Sequence, residues 1–183
     1  MKKEKYNNDL GFYSRISNIK EYVSEQIENG VPYYFYKKFS KINAEQGTLG
    51  QIVKTKKGKE IVNKDSNGNL DWIVTNPNGE KFIVPHKTFA SRYETKVGPD
   101  GKHAPISNVI KAIQIFQDIS FIASWGSEMK IKAGGFLDIT NLNDIYGIQE
   151  KDFNETYAEC NKNGIFFDPK LKELFSQDDE NAI

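Results

Sequence analysis

Residues 69–94 decide the fold, and they read NLDWIVTNPNGEKFIVPHKTFASRYE. Two short apolar runs flank the turn sequence Asn76-Pro77-Asn78-Gly79, an arrangement that predicts a β-hairpin. Pro85 ends the second strand, and a short helix after it places Phe89 and Tyr93 four residues apart on one face. The stretch therefore predicts strand, turn, strand and helix in direct succession.

A second stretch repeats this order of elements further along the chain. Its best-matching block aligns residues 146–157 with residues 82–93 at an offset of 64. Two shorter blocks align at offsets of 67 and 65: Leu70-Asp71 with Leu137-Asp138, and Val74-Thr75-Asn76 with Ile139-Thr140-Asn141. These matches favour an internal duplication, and the changing offset agrees with it because deletions are tolerated in turns. Convergence on a generic strand–turn–strand–helix pattern is the alternative.

Other segments carry weaker signals. Apolar spacing predicts an N-terminal helix over residues 15–29, ended by Asn29-Gly30. Residues 119–125 are also predicted to be helical, with Asp118 as the N-cap. Strands are expected at 33–36, 50–55, 60–62, 109–115 and 129–132.

The predicted fold class is α+β: two tandem small antiparallel-sheet-plus-helix repeats with an N-terminal helix. The predicted division is a helical segment over 1–30, a first repeat over 31–98, a linker over 99–105, a second repeat over 106–160 and a C-terminal tail over 161–183. Repeats of this size are marginal for independent folding, so we expect them to lean on each other and on both tails. The apolar part of the tail predicts packing on a repeat, with docking of a partner as the alternative.

The composition narrows the classes of function. Twenty-five basic residues balance 25 acidic ones among 183, which removes a bulk attraction for nucleic acid or acidic lipid. Cys160 is the single cysteine, which excludes an internal disulfide framework and a multi-cysteine zinc site. No apolar stretch approaches the roughly 20 residues that span a bilayer, and no signal-peptide pattern follows Met1. These features predict a cytoplasmic protein with no membrane partner.

Both copies contain motifs that resemble those of one known family. The second copy has Ile110-Lys111-Ala112-Ile113-Gln114, and the first has Gly79-Glu80 and a Phe89…Tyr93-Glu94 ending. Together these resemble the V-x-A-x-Q strand, G-D-Y/W-I-V hairpin, Gly-Glu turn and F-x-x-x-Y-E ending of the PGDYG-like small bacteriophage and prophage proteins. The Gly-Asp step is broken in both copies, and the second copy lacks the Gly-Glu turn. The resemblance implies a fold, a phage or mobile-element origin and the cytoplasm of a host bacterial cell, but no reaction.

No catalytic constellation is visible in the sequence, which favours a non-enzymatic role. The only histidines are His86, expected to be structural at a helix start, and His103, expected to be solvated in the linker. Residues 65–76 place oxygen side chains as calcium loops do, but the glycine is fourth and the twelfth residue is asparagine, so a plain turn is favoured. Cys160 is expected to be a passive thiol. The sequence predicts no cofactor and no metal site.

A lysine-rich hairpin near residue 56 is the candidate binding site. Basic charge beside aromatic side chains is the minimal recipe for binding a nucleotide or a single strand of nucleic acid. Lysines that keep a strand edge from aggregating are the alternative explanation. The predicted ligand- or partner-binding residues are Tyr36, Lys54, Lys56, Lys57, Lys59, Trp72, His86 and Arg92.

Three functions follow from these patterns. The leading one is a non-catalytic phage- or mobile-element-type accessory protein that binds a host or phage protein, or another macromolecule. The alternative is a binder or sponge for a small nucleotide-type signal, using the basic hairpin. The third is a hydrolase or transferase that uses carboxylates. The balanced charge argues against nucleic acid as a partner.

Overall fold

The computed structural model describes residues 12–180, with side chains through residue 175. The strands are β1 (Ser14–Arg15), β2 (Tyr33–Lys38), β3 (Asn43–Gln46), β4 (Ile52–Thr55), β5 (Gly58–Ile61), β6 (Trp72–Thr75), β7 (Lys81–Val84), β8 (Ile110–Gln114), β9 (Ile119–Ile122), β10 (Glu128–Ile131), β11 (Phe136–Asp138), β12 (Tyr146–Ile148) and β13 (Tyr157–Cys160). The helices are α1 (Ile19–Glu28), α2 (His86–Arg92), α3 (Glu150–Thr156) and α4 (Pro169–Glu180). The predicted α+β class, with small sheets and a helix near the N-terminus, is confirmed.

Part of each predicted terminal segment lies outside the described residues. Residues 1–11 of the predicted helical segment and residues 181–183 of the predicted tail lie outside the described residues. Among residues 12–180, no helix is both long and apolar enough to cross a membrane.

The chain forms two compact units whose boundaries differ from the predicted repeats. The described part of unit 1 is residues 12–37 and 108–175, and that of unit 2 is 38–107 and 176–180. Strand β2, expected in the first repeat, pairs antiparallel with β8 in unit 1. The predicted linker, 99–105, lies within unit 2, where His103 forms a β-bridge with Ile42 and Pro105 forms one with Tyr93.

Unit 2 contains a three-stranded antiparallel sheet, in the order β3-β6-β7, and the separate hairpin β4–β5. Neighbouring residues of a strand point to opposite faces. Trp72 and Val74 therefore pack with Phe89 of α2 on one face, whereas Ile73 packs with Val53 and Val62 on the other. The central strand β6 is thus buried on both faces.

Unit 1 contains a five-stranded sheet, in the order β12-β11-β8-β2-β13, and a smaller sheet, β1-β9-β10. Phe153 of α3 packs on Phe136 on one face of the larger sheet. The core against the other face includes Ile113, Leu137 and Val23 of α1. These two cores hold β8 and β11, the central strands of the second copy, between them.

Unit 1 also contains the N-terminal β1–α1 segment and most of the predicted C-terminal tail. Helix α1 begins at Ile19 rather than at residue 15, because β1 pairs with β9 and the Asn18 side chain then accepts the Glu21 N–H at 3.0 Å. In the tail, buried Phe166 lies 5.0 Å from the Phe175 ring, measured between centroids. The prediction that the tail packs on a repeat stays a prediction.

The prediction of a helix over residues 119–125 is wrong. Residues 119–122 form β9, which pairs with β1 on one side and with β10 on the other. The Asp118 side chain caps no helix and instead accepts the Ala133 N–H at 2.8 Å. A short apolar run fits either element, and pairing with two neighbouring strands selects the extended one.

The hairpins of the two units match residue by residue. In unit 2, Trp72 pairs with Val84 and β7 leads into α2; in unit 1, Phe136 pairs with Ile148 and β12 leads into α3. The offset is 64 at both paired positions. The sequence alignment of Val74-Thr75-Asn76 at an offset of 65 is therefore one residue away from the structural register. A shift of one residue matters in a strand, because it would move every side chain to the opposite face of the sheet.

The leading strands match as well. Gln46 pairs with Trp72 in unit 2 as Gln114 pairs with Phe136 in unit 1. Residues 42–46 therefore correspond to residues 110–114, and both read I-x-A-x-Q. The sequence comparison missed this strand of the first copy. The common register supports the duplication, which stays a prediction.

Candidate functional site

The eight predicted binding residues are divided between the two units. Tyr36 belongs to β2 of unit 1. The other seven belong to unit 2, where four lysines lie on the β4–β5 hairpin and the other three lie on β6 and α2. The structure therefore brings the lysines together with one another.

Trp72 is a core residue. It is 6% exposed, and its ring stacks on Phe89 with the centroids 4.1 Å apart and the planes at 8°. Its Nε1–H donates to His86 Nδ1 at 3.1 Å. One face and the polar edge of the indole are thus engaged within unit 2, so Trp72 does not offer a surface on which a base could stack.

The expectation that His103 is solvated is wrong, since the side chain is 2% exposed. Its Nδ1 lies 2.7 Å from the Glu94 carbonyl oxygen and its Nε2 lies 3.2 Å from that of Ala44. The ring also meets Trp72 and Phe89 edge to face. His103 therefore joins its segment to β3 and to the core under α2, a structural role.

The exposed face of the β4–β5 hairpin combines apolar and basic side chains. Ile52 pairs directly with Ile61, and Lys54 pairs directly with Lys59. The isoleucines are 63% and 55% exposed, whereas Val53 on the other face of β4 is buried. We call Ile52, Lys54, Lys59 and Ile61 the hairpin face.

The charges of the hairpin face are unfavourable for the fold. Like charges directly opposite each other on an antiparallel pair destabilise it, and Lys54 and Lys59 are so placed. At the neighbouring turn, Lys56 Nζ lies 3.2 Å from Glu80 Oε2. Because both side chains are exposed, this ion pair contributes little to stability. Arg92 is exposed in the last turn of α2.

A polar cluster around the buried carboxylate of Asp138 in unit 1 was missed by the sequence comparison. Asp138 Oδ1 accepts the Thr140 N–H at 2.9 Å and the Thr140 hydroxyl at 2.6 Å, and the Tyr146 hydroxyl also bonds to its carboxylate. Tyr157 hydrogen-bonds to Tyr146. The matching positions of unit 2 hold Val74, Phe82 and Tyr93. Two of these positions differ in polarity, because unit 2 has Val74 and Phe82 where unit 1 has Asp138 and Tyr146. A comparison in the structural register would have revealed this difference.

The cluster raises the pKa of both its tyrosines. Burial, then the hydrogen bond to Asp138, raises the pKa of Tyr146 far above its ordinary value of 10.0. Burial, then the Asp138 charge, raises the pKa of Tyr157. A neutral phenol is a weak nucleophile and a weak base, so these groups are suited to holding the sheet face rather than to chemistry.

The remaining candidates for chemistry have structural partners. Asp65 Oδ1 accepts the N–H groups of Asn67 and Asn69 at 2.9 Å, as in a turn, and the bond from Asn69 lowers the pKa of Asp65. Burial raises the pKa of the Cys160 thiol. Within the described part of the chain, no group of three His, Cys, Asp or Glu side chains could hold a metal ion.

Tyr36 gives unit 1 a predicted pH dependence. Burial, followed by the charge of Glu159, raises the pKa of Tyr36 from 10.0 to about 12. Between these values the unfolded chain loses the proton first, so the free energy of unfolding falls as the pH rises through this window. We expect Tyr36→Phe to flatten this fall in urea titrations at several pH values. Exposed Tyr33→Phe is the control, and equal flattening in both variants would contradict the assignment.

The geometry thus offers an exposed amphipathic hairpin in unit 2 and a satisfied polar cluster in unit 1. No family model matches the chain, and neither a curated protein nor a solved structure is similar to it.

Proposed function

We propose that the protein is a non-catalytic accessory protein of phage or mobile-element type that acts in the host cytoplasm by binding another protein. The hairpin face is the binding surface, and the partner segment presents acidic side chains beside apolar ones. The resemblance of both copies to PGDYG-like proteins supports the origin. The surface chemistry of unit 2 supports the mode of binding.

One observation carries the proposal: Ile52 and Ile61, both more than half exposed, stand beside the directly opposed Lys54 and Lys59. A partner that covers the two isoleucines would remove their apolar area from water. Burial of apolar area at the centre of an interface stabilises a complex. The lysine pair costs the hairpin stability, and an acidic partner removes that cost. Lysines kept only for solubility would not need to be directly opposed.

A small nucleotide-type ligand has less support at this hairpin. The aromatic side chain expected to stack on a base, Trp72, is engaged by Phe89 and His86. Stacking contributes about 1–3 kcal/mol per base, so the lysines alone would hold a nucleotide weakly. A protein segment can use the isoleucines as well as the charges.

The substitution Lys59→Glu is expected to change stability and binding affinity in opposite directions. It places Glu opposite Lys54, so we expect the free energy of unfolding to rise by about 0.2–1 kcal/mol. It also repels an acidic partner, so we expect affinity to fall about ten-fold. Binding is measured with peptides selected from a random display library against the wild-type protein, and stability by urea unfolding.

Lys87→Glu is the matched control, because Lys87 is an exposed lysine of the same unit on α2. The selected peptides should be rich in Asp and Glu next to apolar residues, and should bind this control as tightly as the wild type. Peptides without acidic residues would contradict the proposal. So would peptides that bind Lys59→Glu and Lys87→Glu equally well.

A further inference from the structure

Strand β2 presents a second surface of different chemistry, in unit 1. Tyr33, Phe35 and Lys37 share one face, because alternate residues of a strand point the same way. Lys111 of β8 lies directly opposite Phe35 in the register. We call these four residues the Tyr33 stripe. Tyr33 is 45% exposed, and Phe35, Lys37 and Lys111 are partly exposed.

Within the Tyr33 stripe, Tyr33 contacts both Phe35 and Lys111, whereas Lys37 contacts Phe166 of the tail. The rings of Tyr33 and Phe35 meet edge to face with centroids 6.2 Å apart. Lys111 Nζ lies 4.7 Å from the centroid of Tyr33, and Lys37 Nζ lies 5.7 Å from that of Phe166. The stripe therefore places positive charge against aromatic surface.

We propose that the Tyr33 stripe binds single-stranded nucleic acid without sequence preference. Bases stack on Tyr33 and Phe35, and backbone phosphates contact Lys37 and Lys111. Grooves of this kind combine cations along the backbone with aromatic rings under the bases. The proposal is independent of the hairpin face, which lies in the other unit.

The free energies of the contacts favour a stacked base on Tyr33 over the Lys111 ammonium that lies there. A base that stacks on Tyr33 displaces the Lys111 ammonium from the ring, and an exposed cation–π contact contributes only about 0.5–1 kcal/mol. Base stacking contributes about 1–3 kcal/mol, and the displaced ammonium is then available to a phosphate. Residues 33–37 of the strand extend over roughly 13 Å, which is room for more than one nucleotide.

The balanced charge of the chain limits this binding rather than forbidding it. With 25 basic and 25 acidic residues there is no long-range attraction, so the affinity rests on local contacts. Two phosphate contacts predict that the logarithm of the association constant falls with the logarithm of salt concentration at a slope of about −1.4. A strongly basic protein would show a much steeper slope.

The test uses fluorescence anisotropy of labelled oligothymidine with the full-length protein, titrated at several salt concentrations. We expect saturable binding that weakens about ten-fold in Tyr33→Ala and is retained in Tyr33→Phe, which keeps the ring. Lys111→Gln should reduce the salt slope by about 0.7. Thymidine monophosphate should displace the strand only at much higher concentration.

Tyr34→Ala is the matched control, because Tyr34 neighbours Tyr33, is 47% exposed and points to the opposite face of β2. It should bind like the wild type. Absence of saturable binding would overturn the proposal, as would equal losses in Tyr33→Ala and Tyr34→Ala. Displacement by thymidine monophosphate at the same concentration as the strand would overturn it too. Circular dichroism of each variant shows whether the fold is kept.

Discussion

Replacing Phe153 by alanine is expected to lower the free energy of unfolding by about 3–5 kcal/mol. Phe153 lies between two aromatic rings, 3.8 Å from Phe136 and 5.0 Å from Tyr157 between centroids, with both pairs stacked. Tyr36 meets it edge to face at 4.8 Å. Truncation would leave a cavity among three rigid rings that cannot collapse into it.

Urea unfolding followed by circular dichroism measures this loss, and hydrogen exchange locates it. Phe116→Ala is the control, since Phe116 is 72% exposed and its removal should change stability by less than about 0.5 kcal/mol. Faster exchange is expected first in α3, β11 and β12, which meet at Phe153. A loss below about 1 kcal/mol in Phe153→Ala would show that this cluster does not hold α3 on the sheet.

Phe89 holds the matching position in unit 2, stacked on Trp72 as Phe153 is on Phe136. The hairpin and helix around it were predictable, because their signals are local. Asn76-Pro77-Asn78-Gly79 marks the turn, Pro85 ends the strand, and the spacing from Phe89 to Tyr93 marks the buried face of the helix. Each signal acts within a few residues, so none depends on the rest of the chain.

Contacts between distant residues were not predictable in this way. His103 is buried because its segment pairs with Ile42, which lies 61 residues earlier, and no local pattern reports that pairing. Residues 119–122 are extended because β1 and β10 flank them. In both cases the neighbouring strand, rather than local propensity, determines the conformation.

The candidate site shows the same limit. The lysine hairpin was visible because its turn and its alternation are local, whereas the burial of Trp72 was harder to anticipate. The run Trp72-Ile73-Val74 is apolar at every position, which is typical of a strand covered on both faces. This pattern predicts that Trp72 is buried in the core. It therefore removes Trp72 from the binding site and leaves the isoleucines of the hairpin face as its exposed apolar residues.

The largest expected effect after Phe153→Ala is that of Asp138→Val. This change leaves the Tyr146 hydroxyl and both Thr140 donors without the carboxylate that accepts from them. A buried donor that loses its partner costs about 1–3 kcal/mol, and Thr140 is exposed enough to bond to water instead. We therefore expect a loss of about 1–3 kcal/mol in the free energy of unfolding, measured by urea titration.

Adding Tyr146→Phe to Asp138→Val should recover at least about 1 kcal/mol of that loss, because an apolar pair has no hydrogen bond to satisfy and Tyr157, which bonds to Tyr146, is partly exposed to water. Unit 2 already carries such a pair, Val74 and Phe82, in the same register of the same hairpin. If the units arose by duplication, the backbone around Asp138 accommodates both pairs, and the double variant approaches wild-type stability. If the double variant loses more free energy of unfolding than the two single variants lose together, the two hairpins are not equivalent. Recovery would mean that the fold of this hairpin does not require the polar cluster.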